Sequence, residues 1–417
     1  MNRQMLSSRL KRRIMRNTGR LINRLVDNQV LKGILAECTE HEITDICGLV
    51  PEQFMVDPPV LELTTETPLM IVGDVYGQYG HLVRLFNYYG HPPRQRYLFL
   101  GNFVSANSRA IETVALLFAY KLRYPKSIYL LRGKHECGRV AKFYGFYDEC
   151  LKRFTQRIWN AITDVFNYMP VVAIIDNRIM CVHSGLSPLF QQMDVRGLNN
   201  LKLFIKKSIT LPAELEANRL LMHFVWSEPD ESLDFWDQNP AGQGYLYGIK
   251  AVKDFCERFE LQQIIRSSEM VKTGFEFFPC AKLLTIFSAP DYMEFYSNTA
   301  AFVYLENLLQ EKDRRCRLRL AHPIIRLRCK QTLRMNMTFD DLPIELGVGI
   351  GHVLNLEPSS LYTQTNSSQY FQKCSQLPID ENEHCQQSSE TEIVEDLNSP
   401  PVSPTESQWL ELQSATF

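Results

Sequence analysis

Six short polar segments of this 417-residue chain contain side chains of the types that bind metal ions. Asp74, His135 and His183 supply carboxylate and imidazole groups, and Asn102 supplies an amide. Divalent cations take ligands of these kinds, and an imidazole can also transfer a proton. The segments are GDVYGQ (73–78), GNFVSAN (101–107), LRGKHE (131–136), CVHSGL (181–186), RSSE (266–269) and SAPDY (288–292).

Short apolar runs with the composition of buried strands indicate how these segments are positioned. The predicted strands are 69–72, 97–100, 128–131, 171–175, 179–182 and 283–287. Between them the spacing predicts a helix over 111–122 and less regular helical structure over 143–166. Alternating strands and helices predict an α/β layer fold, in which sites form in loops that leave the strand ends. All six polar segments occupy such positions, so we interpret them as parts of one site.

In order, spacing and framing, these segments resemble the phosphoprotein phosphatase family, and within it the type-1 protein phosphatase catalytic subunit. The resemblance covers roughly residues 20–323 and extends beyond the six segments. Further matching segments are RYP (123–125), YGFYDEC (144–150), LSP (186–188), VWS (225–227) and FSAP (287–290). It implies an α/β, calcineurin-like metallophosphoesterase fold: a central β-sandwich flanked by α-helices.

The resemblance implies hydrolysis of phosphoserine and phosphothreonine by two divalent ions, such as Mn or Fe and Zn. Of six family ligand positions, Asp74 and His183 are retained, and Asn102 replaces the bridging Asp. The other three positions carry Tyr76, Lys134 and Ser268. A phenol is a poor ligand because its pKa is about 10, and Lys offers only donors and a positive charge. We therefore predict that no metal cofactor is bound and that three ligands remain only as remnants.

The supporting catalytic residues that the resemblance implies are also changed. His135 matches the family's acid His, but Ser105 stands where the family has that residue's Asp partner. Ala106 and Ala241 replace two phosphate-binding arginines, whose bidentate bonds Ala cannot make. Tyr292 is retained, and we predict that no phosphate-binding clamp is left.

Two of the site residues have alternative interpretations. The ammonium group of Lys134 either takes the place of the second cation and neutralises Asp74, or points into solvent from an opened pocket. His183 either packs and hydrogen-bonds in place or binds metal, and the loss of its ligand partners favours packing.

These changes predict a serine/threonine phosphatase-like protein that is catalytically dead or severely impaired, a pseudophosphatase that binds partners. The alternative is a metal-dependent phosphatase with residual or atypical activity, since fold alone does not establish function. A reader of phosphorylated proteins is the weakest hypothesis, because both arginines are missing. The expected partners are regulatory proteins of a type-1-like groove, with phosphoproteins as a second class.

The groove that the resemblance implies lies away from the metal positions. Ile179 and Phe277 match groove residues, and Cys316 and Leu318 match two more if an insertion precedes them. Gln263 departs from an apolar groove position. The alternative is that these are ordinary core residues.

Bulk composition argues against a nucleic-acid-binding, membrane-spanning or disulfide-rich protein. A hydrophobic share of 45%, a charged share of 22% and a net charge of -2 are ordinary for a soluble globular protein and suggest neither a nucleic-acid nor a membrane partner. No apolar run is long enough to span a bilayer. The 11 cysteines lack the paired spacing of a zinc site or a disulfide framework, which favours the cytoplasm or nucleus.

Charge patterning predicts three parts: a basic N-terminal tail at 1–19, a phosphatase-like domain at 20–330 and an acidic, Ser/Gln-rich, disordered tail at 331–417. The first 25 residues contain eight Lys/Arg and no Asp/Glu, which favours a solvated, frayed tail over a targeting address. Residues 355–417 contain ten Asp/Glu and one Lys and are rich in Ser and Gln, which predicts disorder.

Overall fold

The computed structural model describes residues 7–27, 38–105, 109–191, 195–294, 296–309, 315–322 and 338–343. The α-helices in this part of the chain are α1 (Ser8–Leu25), α2 (Glu40–Phe54), α3 (Tyr79–Tyr89), α4 (Ala110–Arg123), α5 (Gly138–Phe143), α6 (Phe146–Arg153), α7 (Gln156–Phe166), α8 (Leu198–Ser208), α9 (Arg219–Trp226) and α10 (Ile249–Arg258). Helix α2 begins with a capping box, in which Thr39 and Glu42 each accept the other's backbone N–H.

Strands over all six predicted apolar runs confirm the sequence-based assignment to within a residue at each end. The strands are β1 (Val60–Leu63), β2 (Leu69–Val72), β3 (Arg96–Phe99), β4 (Ile128–Leu130), β5 (Val172–Ile175), β6 (Ile179–Val182), β7 (Glu228–Pro229), β8 (Trp236–Gln238), β9 (Tyr245–Tyr247), β10 (Gln263–Arg266), β11 (Phe275–Phe277), β12 (Leu283–Ile286), β13 (Ala300–Glu306), β14 (Arg315–His322) and β15 (Thr338–Pro343). The predicted helix over 111–122 is α4, and the region 143–166 contains α6 and α7.

Two six-stranded sheets form a β-sandwich. One has the order β1-β5-β6-β10-β12-β11, and the other has the order β15-β14-β13-β2-β3-β4. Ile71 and Leu98 of the second sheet share a buried cluster with Ile175, Cys181 and Ile265 of the first, so the core of the sandwich lies between the sheets. Strands β7, β9 and β8 form a small separate sheet.

Helices cover both outer faces of the sandwich. On the second sheet, Met70 and Phe99 pack in one cluster with Ile14 of α1, Val50 of α2 and Phe118 of α4. On the first sheet, Ile174 and Val182 share a cluster that also contains the buried faces of α8, α9 and α10, including Leu201, Phe224 and Val252. This arrangement confirms the predicted calcineurin-like fold, a sandwich flanked by helices.

The N-terminal segment differs from its prediction as a frayed, solvated tail. Ser7 caps α1 by accepting the backbone N–H of Leu10, and Leu21 and Leu25 are fully buried. The basic side chains point outward while a stripe of apolar residues packs on the core, so a strongly basic composition is compatible with a docked helix. The domain limits at 19/20 and 330/331 remain predictions.

Strand β15 corrects the disorder prediction for six residues, because Thr338–Pro343 pair antiparallel with β14. The other residues of the predicted acidic tail lie outside the described part of the chain. Among the described residues, no helix combines the length and the apolar composition needed to cross a bilayer.

Candidate functional site

The described polar segments meet at one end of the sandwich. Strands β2, β3 and β4 are parallel neighbours, as are β6, β10 and β12, so their carboxyl ends deliver the following loops to a common edge. Asp74 forms an isolated parallel bridge with Phe287, which joins the two sheets at this point. Gly73 allows this approach, because a Cβ there would lie 2.6 Å from both the Ile286 carbonyl oxygen and Ser267 Oγ.

Asp74 lies fully buried at the centre of this end and is satisfied by neutral donors. Its Oδ1 accepts Ser267 Oγ at 2.8 Å and the backbone N–H of Ser268 at 3.3 Å. Its Oδ2 accepts Asn102 Nδ2 at 3.1 Å, and the Tyr76 hydroxyl also donates to this carboxylate. Burial raises the pKa of Asp74, although the four hydrogen bonds oppose that effect.

The phenol of Tyr76 occupies the position at which the resemblance places a histidine ligand. Its hydroxyl donates to Asp74 and accepts Asn102 Nδ2 at 3.0 Å. Its ring centroid lies 4.8 Å from that of Tyr292 and 5.0 Å from that of His135. Burial and the nearby Asp74 charge raise the pKa of Tyr76, so the hydroxyl stays protonated and remains a donor. Tyr76 therefore fills this part of the pocket with an aromatic ring.

Asn102 uses its side chain to hold the loops together. Besides its two Nδ2 bonds, its Oδ1 accepts the backbone N–H of His135 at 3.0 Å. Its own backbone N–H donates to the carboxylate of Glu136, which also accepts the N–H groups of Phe103 and Gly133. The amide thus bridges Asp74, Tyr76 and the loop after β4, where the family's bridging carboxylate would face cations.

Lys134 corrects both sequence-based alternatives. Its ammonium group forms an ion pair with Glu228 rather than with Asp74, and it lies 5.2 Å from the centroid of the Trp226 ring. The Lys134 side chain is only 14% exposed, so it does not point into open solvent either. Burial by itself would raise the pKa of Glu228, but the charge and hydrogen bond of Lys134, together with Arg266 and Asn239, hold it below its usual value.

The two retained histidines are neutral because burial lowers both pKa values, that of His135 to about 3. His183 Nδ1 donates to the Leu100 carbonyl oxygen at 2.8 Å and lies 3.9 Å from Asp74 Oδ1. His135 bonds to the backbone of Val104 and stacks on Tyr144, with ring centroids 4.7 Å apart. In the part of the chain that the structure describes, neither ring forms a hydrogen bond to a carboxylate, the kind of contact that favours an imidazolium.

Three buried polar atoms around the pocket have no hydrogen-bond partner among the described residues: His135 Nδ1, His183 Nε2 and Ser268 Oγ. His183 Nε2 and His135 Nδ1 both carry a free lone pair, because the other nitrogen of each neutral ring holds the proton: His183 Nδ1 donates to Leu100, and His135 donates to the backbone of Val104. Asp74 and His183 therefore remain candidate ligands. Asn102 is less available, because both the oxygen and the nitrogen of its amide already form hydrogen bonds.

This donor set does not fit a pair of divalent ions. Within the described ranges, no group of three His, Cys, Asp or Glu side chains is gathered closely enough to hold a metal. A single four-coordinate ion on Asp74 and His183 would need two further ligands, and Tyr76, Lys134 and Ser268 supply a protonated phenol, a paired ammonium group and a neutral hydroxyl.

The remaining predicted positions lie as follows. Ala241 is exposed, and its backbone N–H donates to Asn239 Oδ1 at 2.9 Å. Tyr292 is half-buried against Tyr76, and Ser105 is half-buried next to Val104. Ala106 lies outside the described residues.

The four predicted groove residues belong to the core between the sheets. Ile179, Cys316 and Leu318 are buried there, and the half-buried Phe277 packs against the same cluster. Gln263, opposite Ile179 in the sheet, is fully buried, and both polar atoms of its amide lack a partner among the described residues. The geometry favours the core interpretation, and docking at this position remains a prediction.

Sequence reasoning assigned no role to Glu136 or Glu228. Glu136 anchors three backbone N–H groups, and burial raises its pKa to about 7. Glu228 neutralises Lys134 from 94 positions away along the chain. The segment before Glu228 (225–227) carried the resemblance, but nothing in the sequence indicates that Lys134 reaches it.

A family model and one solved structure agree with this architecture. A family model for calcineurin-like phosphoesterases matches residues 67–267, which include the first four polar segments. The chain is similar to a solved protein serine/threonine phosphatase from Saccharomyces cerevisiae, described as having similarity to human phosphatase PP5. Their identity is 25% and the TM-score is 0.64, over 74% of this chain and 98% of that one. A cold-active protein-tyrosine phosphatase from a Shewanella species matches at 13% identity and a TM-score of 0.45, over 65% and 82% of the two chains.

Proposed function

Because this chain carries a calcineurin-like metallophosphoesterase domain of the serine/threonine phosphatase type, we propose that it is a pseudophosphatase that acts as a partner-binding scaffold. The observation that carries the proposal is the Tyr76 phenol, which is hydrogen-bonded to Asp74 and Asn102 in the place of a ligand. A buried ring at that point supports the loss of turnover better than a missing ligand alone, because it also takes up the space of an ion.

Three functions of the family's site are affected independently. The metal positions carry Tyr76, Lys134 and Ser268, and His135, at the acid position, is neutral, with no hydrogen-bond partner for Nδ1 among the described residues. Ala241 cannot clamp a phosphate. Restoring one function would leave the other two impaired, which supports a scaffold over a slow enzyme.

The test measures metal content and turnover in the same preparation. The purified full chain is assayed for bound transition metal and for hydrolysis of p-nitrophenyl phosphate in added Mn²⁺, with an active type-1 catalytic subunit as positive control. We expect no stoichiometric metal and no turnover above that of an Asp74→Ala variant. Stoichiometric metal together with turnover that Asp74→Ala abolishes would overturn the proposal.

The second candidate is a metal-dependent phosphoserine/phosphothreonine phosphatase with residual or atypical activity. Two observations favour it: His183 Nε2 has no hydrogen-bond partner among the described residues, and Nδ1 of the same ring lies 3.9 Å from Asp74 Oδ1, so two candidate ligand side chains are neighbours. This enzyme would lose metal on His183→Ala substitution, whereas the scaffold would lose only packing. Metal content of that variant therefore separates the two candidates.

The partners we propose are regulatory proteins that bind type-1 phosphatases, with phosphoproteins as a weaker second class. We propose the cytoplasm or nucleus as the location. The eight cysteines among the described residues are unpaired, which suits a reducing compartment. Cell fractionation of the tagged full chain tests the location, and recovery in an oxidising secretory fraction would contradict it.

A further inference from the structure

Helix α1 presents a row of exposed arginines on the side that faces away from the core. Its apolar residues, among them Ile14, Leu21 and Leu25, are buried in one cluster with residues of α2 and α4. The arginine strip consists of the exposed residues Arg9, Arg12, Arg13, Arg16 and Arg20. At about 100° per residue, all five fall within an arc of roughly 100°, centred opposite the buried residues.

The arginine strip is the part of the helix charge that has no carboxylate partner. Lys11 Nζ lies 2.7 Å from Glu52 Oε2, and Arg24 Nη2 lies 2.7 Å from Glu42 Oε2. In the described ranges, by contrast, none of the five guanidinium groups of the strip forms an ion pair. Like charges at this spacing on a helix repel each other, so a bound anion would relieve that repulsion.

The residue type and the spacing of the strip indicate what kind of anion fits. All five cations are Arg, whose planar fork binds a carboxylate through two parallel hydrogen bonds. Arg9, Arg13, Arg16 and Arg20 follow each other at about 6, 4.5 and 6 Å along the helix axis. Alternate residues of an extended peptide place their side chains on one face about 6.6 Å apart. An extended segment with an acidic residue at every second position therefore matches the strip.

The surroundings of the strip favour a narrow partner over a flat anionic surface. Helix α2, which packs beside α1, contains Glu40, Glu42, Asp45 and Glu52 and no Lys or Arg. A membrane surface would approach these carboxylates together with the strip, whereas a single extended segment can lie along α1 alone. The apolar side of α1 is also buried in the protein, so the helix has no apolar face to insert into a membrane.

The composition of α1 argues against a nucleic-acid strand as the partner. Proteins that bind single strands combine basic side chains with aromatic rings on which the bases stack. Helix α1 contains no aromatic residue. The net charge of the whole chain is -2, whereas nucleic-acid-binding domains are usually basic. An acidic protein segment is therefore the partner that the strip fits best.

We propose that the arginine strip of α1 is a docking surface for an extended acidic segment of a partner protein, with Asp or Glu at alternate positions. Helix α1 lies in the helical layer on the outer face of the second sheet, whereas the predicted groove residues lie between the sheets. The strip is therefore a separate surface. This inference goes beyond the scaffold role and holds whether or not the chain retains turnover.

The test measures binding of a labelled peptide of alternating Glu and Ser, about ten residues long, to the full chain by fluorescence anisotropy. The strip variant carries Arg9→Gln, Arg13→Gln, Arg16→Gln and Arg20→Gln. Arg12 is left unchanged, because its Nε donates to the Ser8 carbonyl oxygen. The matched control loses the same number of charges at exposed positions elsewhere, through Lys152→Gln, Arg157→Gln, Lys207→Gln and Lys253→Gln.

We expect the parent and the control to bind the peptide equally, and the strip variant to bind it at least about tenfold more weakly at about 50 mM salt. The difference should shrink at about 200 mM salt, because exposed charges are screened. A variant with Lys at the same four positions should retain part of the binding, since it keeps the charge but loses the bidentate geometry. Thermal unfolding of every variant checks that the fold is intact.

Equal binding by the parent and the strip variant would overturn the proposal, and so would failure of the parent to bind the peptide at low salt. A single-stranded oligonucleotide and vesicles that contain phosphatidylserine are tested on the same chains. If the parent binds either of them more tightly than the peptide, and the strip variant loses that binding, the partner is not an acidic protein segment. Metal content and turnover enter none of these measurements, so failure here leaves the pseudophosphatase proposal unaffected.

Discussion

Tyr76 is a buried aromatic residue at a position where the resemblance implies a metal ligand. Its hydroxyl gives Asp74 a hydrogen bond and accepts one from Asn102, while its ring packs against Tyr292. A buried carboxylate is costly unless it is hydrogen-bonded, so the phenol hydroxyl contributes to stabilising Asp74.

Tyr76→Phe removes the hydroxyl and keeps the ring. We expect the free energy of unfolding to fall by about 1–3 kcal/mol, because Asp74 and Asn102 each lose a partner in a buried site. Urea denaturation of the full chain measures it, with Tyr88→Phe at an exposed position as the control. Equal stability of parent and Tyr76→Phe would mean that the hydroxyl contributes nothing to holding Asp74.

Lys134 provides a second prediction at this scale. Lys134→Asn restores the family's residue but leaves Glu228 partly buried without its cation. We expect a loss of about 1–3 kcal/mol, most of it recovered when Glu228→Gln is added. A double-mutant cycle by thermal unfolding measures the coupling, and a cycle without coupling would contradict the role of this ion pair.

Glu136 should make the stability of the folded chain depend on pH. Burial raises its pKa from 4.5 to about 7 in the folded chain, despite three backbone N–H donors. Since the folded pKa is the higher one, the folded state binds the proton more tightly. This contribution to stability is present below the unfolded pKa and is lost as pH rises through about 7.

We therefore expect Glu136→Gln to remove part of the decline in the parent's stability between about pH 5 and pH 7.5, with a difference on the order of 1–3 kcal/mol. Because buried histidines impose an opposite slope at lower pH, the comparison is between variants at each pH. Glu66→Gln, at an exposed position, is the control, and parallel profiles for all three chains would refute the assignment.

Secondary-structure elements differ in how far the sequence determines them. The six predicted strands are short apolar runs whose burial on both faces is visible in composition alone. Helix α1 was not predicted because its seven Lys/Arg residues dominate the composition, although Ile14, Leu21 and Leu25 follow helical spacing. Strand β15 was missed because Asp and Pro disfavour strands, and only its partner β14 selects the extended form.

The site residues also differ in how far the sequence alone predicts them. The lost ligands are evident from residue type, because a phenol, an ammonium group and a hydroxyl have fixed chemistry. The destination of Lys134 was not predictable, since Glu228 is distant in sequence and is brought close only by the fold. The residue type determines what chemistry a side chain can do, whereas the tertiary structure determines which partner it meets.

The docking of α1 can be tested through its apolar stripe. Leu21 is fully buried in the cluster that includes α2 and α4, so Leu21→Ala should lower the free energy of unfolding by about 2–5 kcal/mol. Arg20→Ala, one residue away on the exposed side, should change it by less than about 0.5 kcal/mol. Equal effects of the two substitutions in urea denaturation would mean that the helix does not pack as described.

At the scale of the whole molecule, apolar packing joins the layers of the fold, and hydrogen bonds within the protein close its polar end. Core clusters join both sheets and their covering helices, and the polar end is closed by Asp74, Tyr76, Asn102 and Glu136 through hydrogen bonds within the protein. A metal-dependent relative would instead gain stability from its ions, by about 2.7 kcal/mol at a hundredfold excess over the dissociation constant.

The melting temperature of this chain should therefore respond to neither EDTA nor Mn²⁺. The matched variant restores the four altered ligands with Tyr76→His, Asn102→Asp, Lys134→Asn and Ser268→His, and its melting temperature should rise by several degrees in Mn²⁺ if the backbone still holds the family geometry. A Mn²⁺-dependent rise in the parent would show that Asp74 and His183 still bind an ion. Absence of a rise in the restored variant would show that the loops as well as the side chains have departed from that geometry.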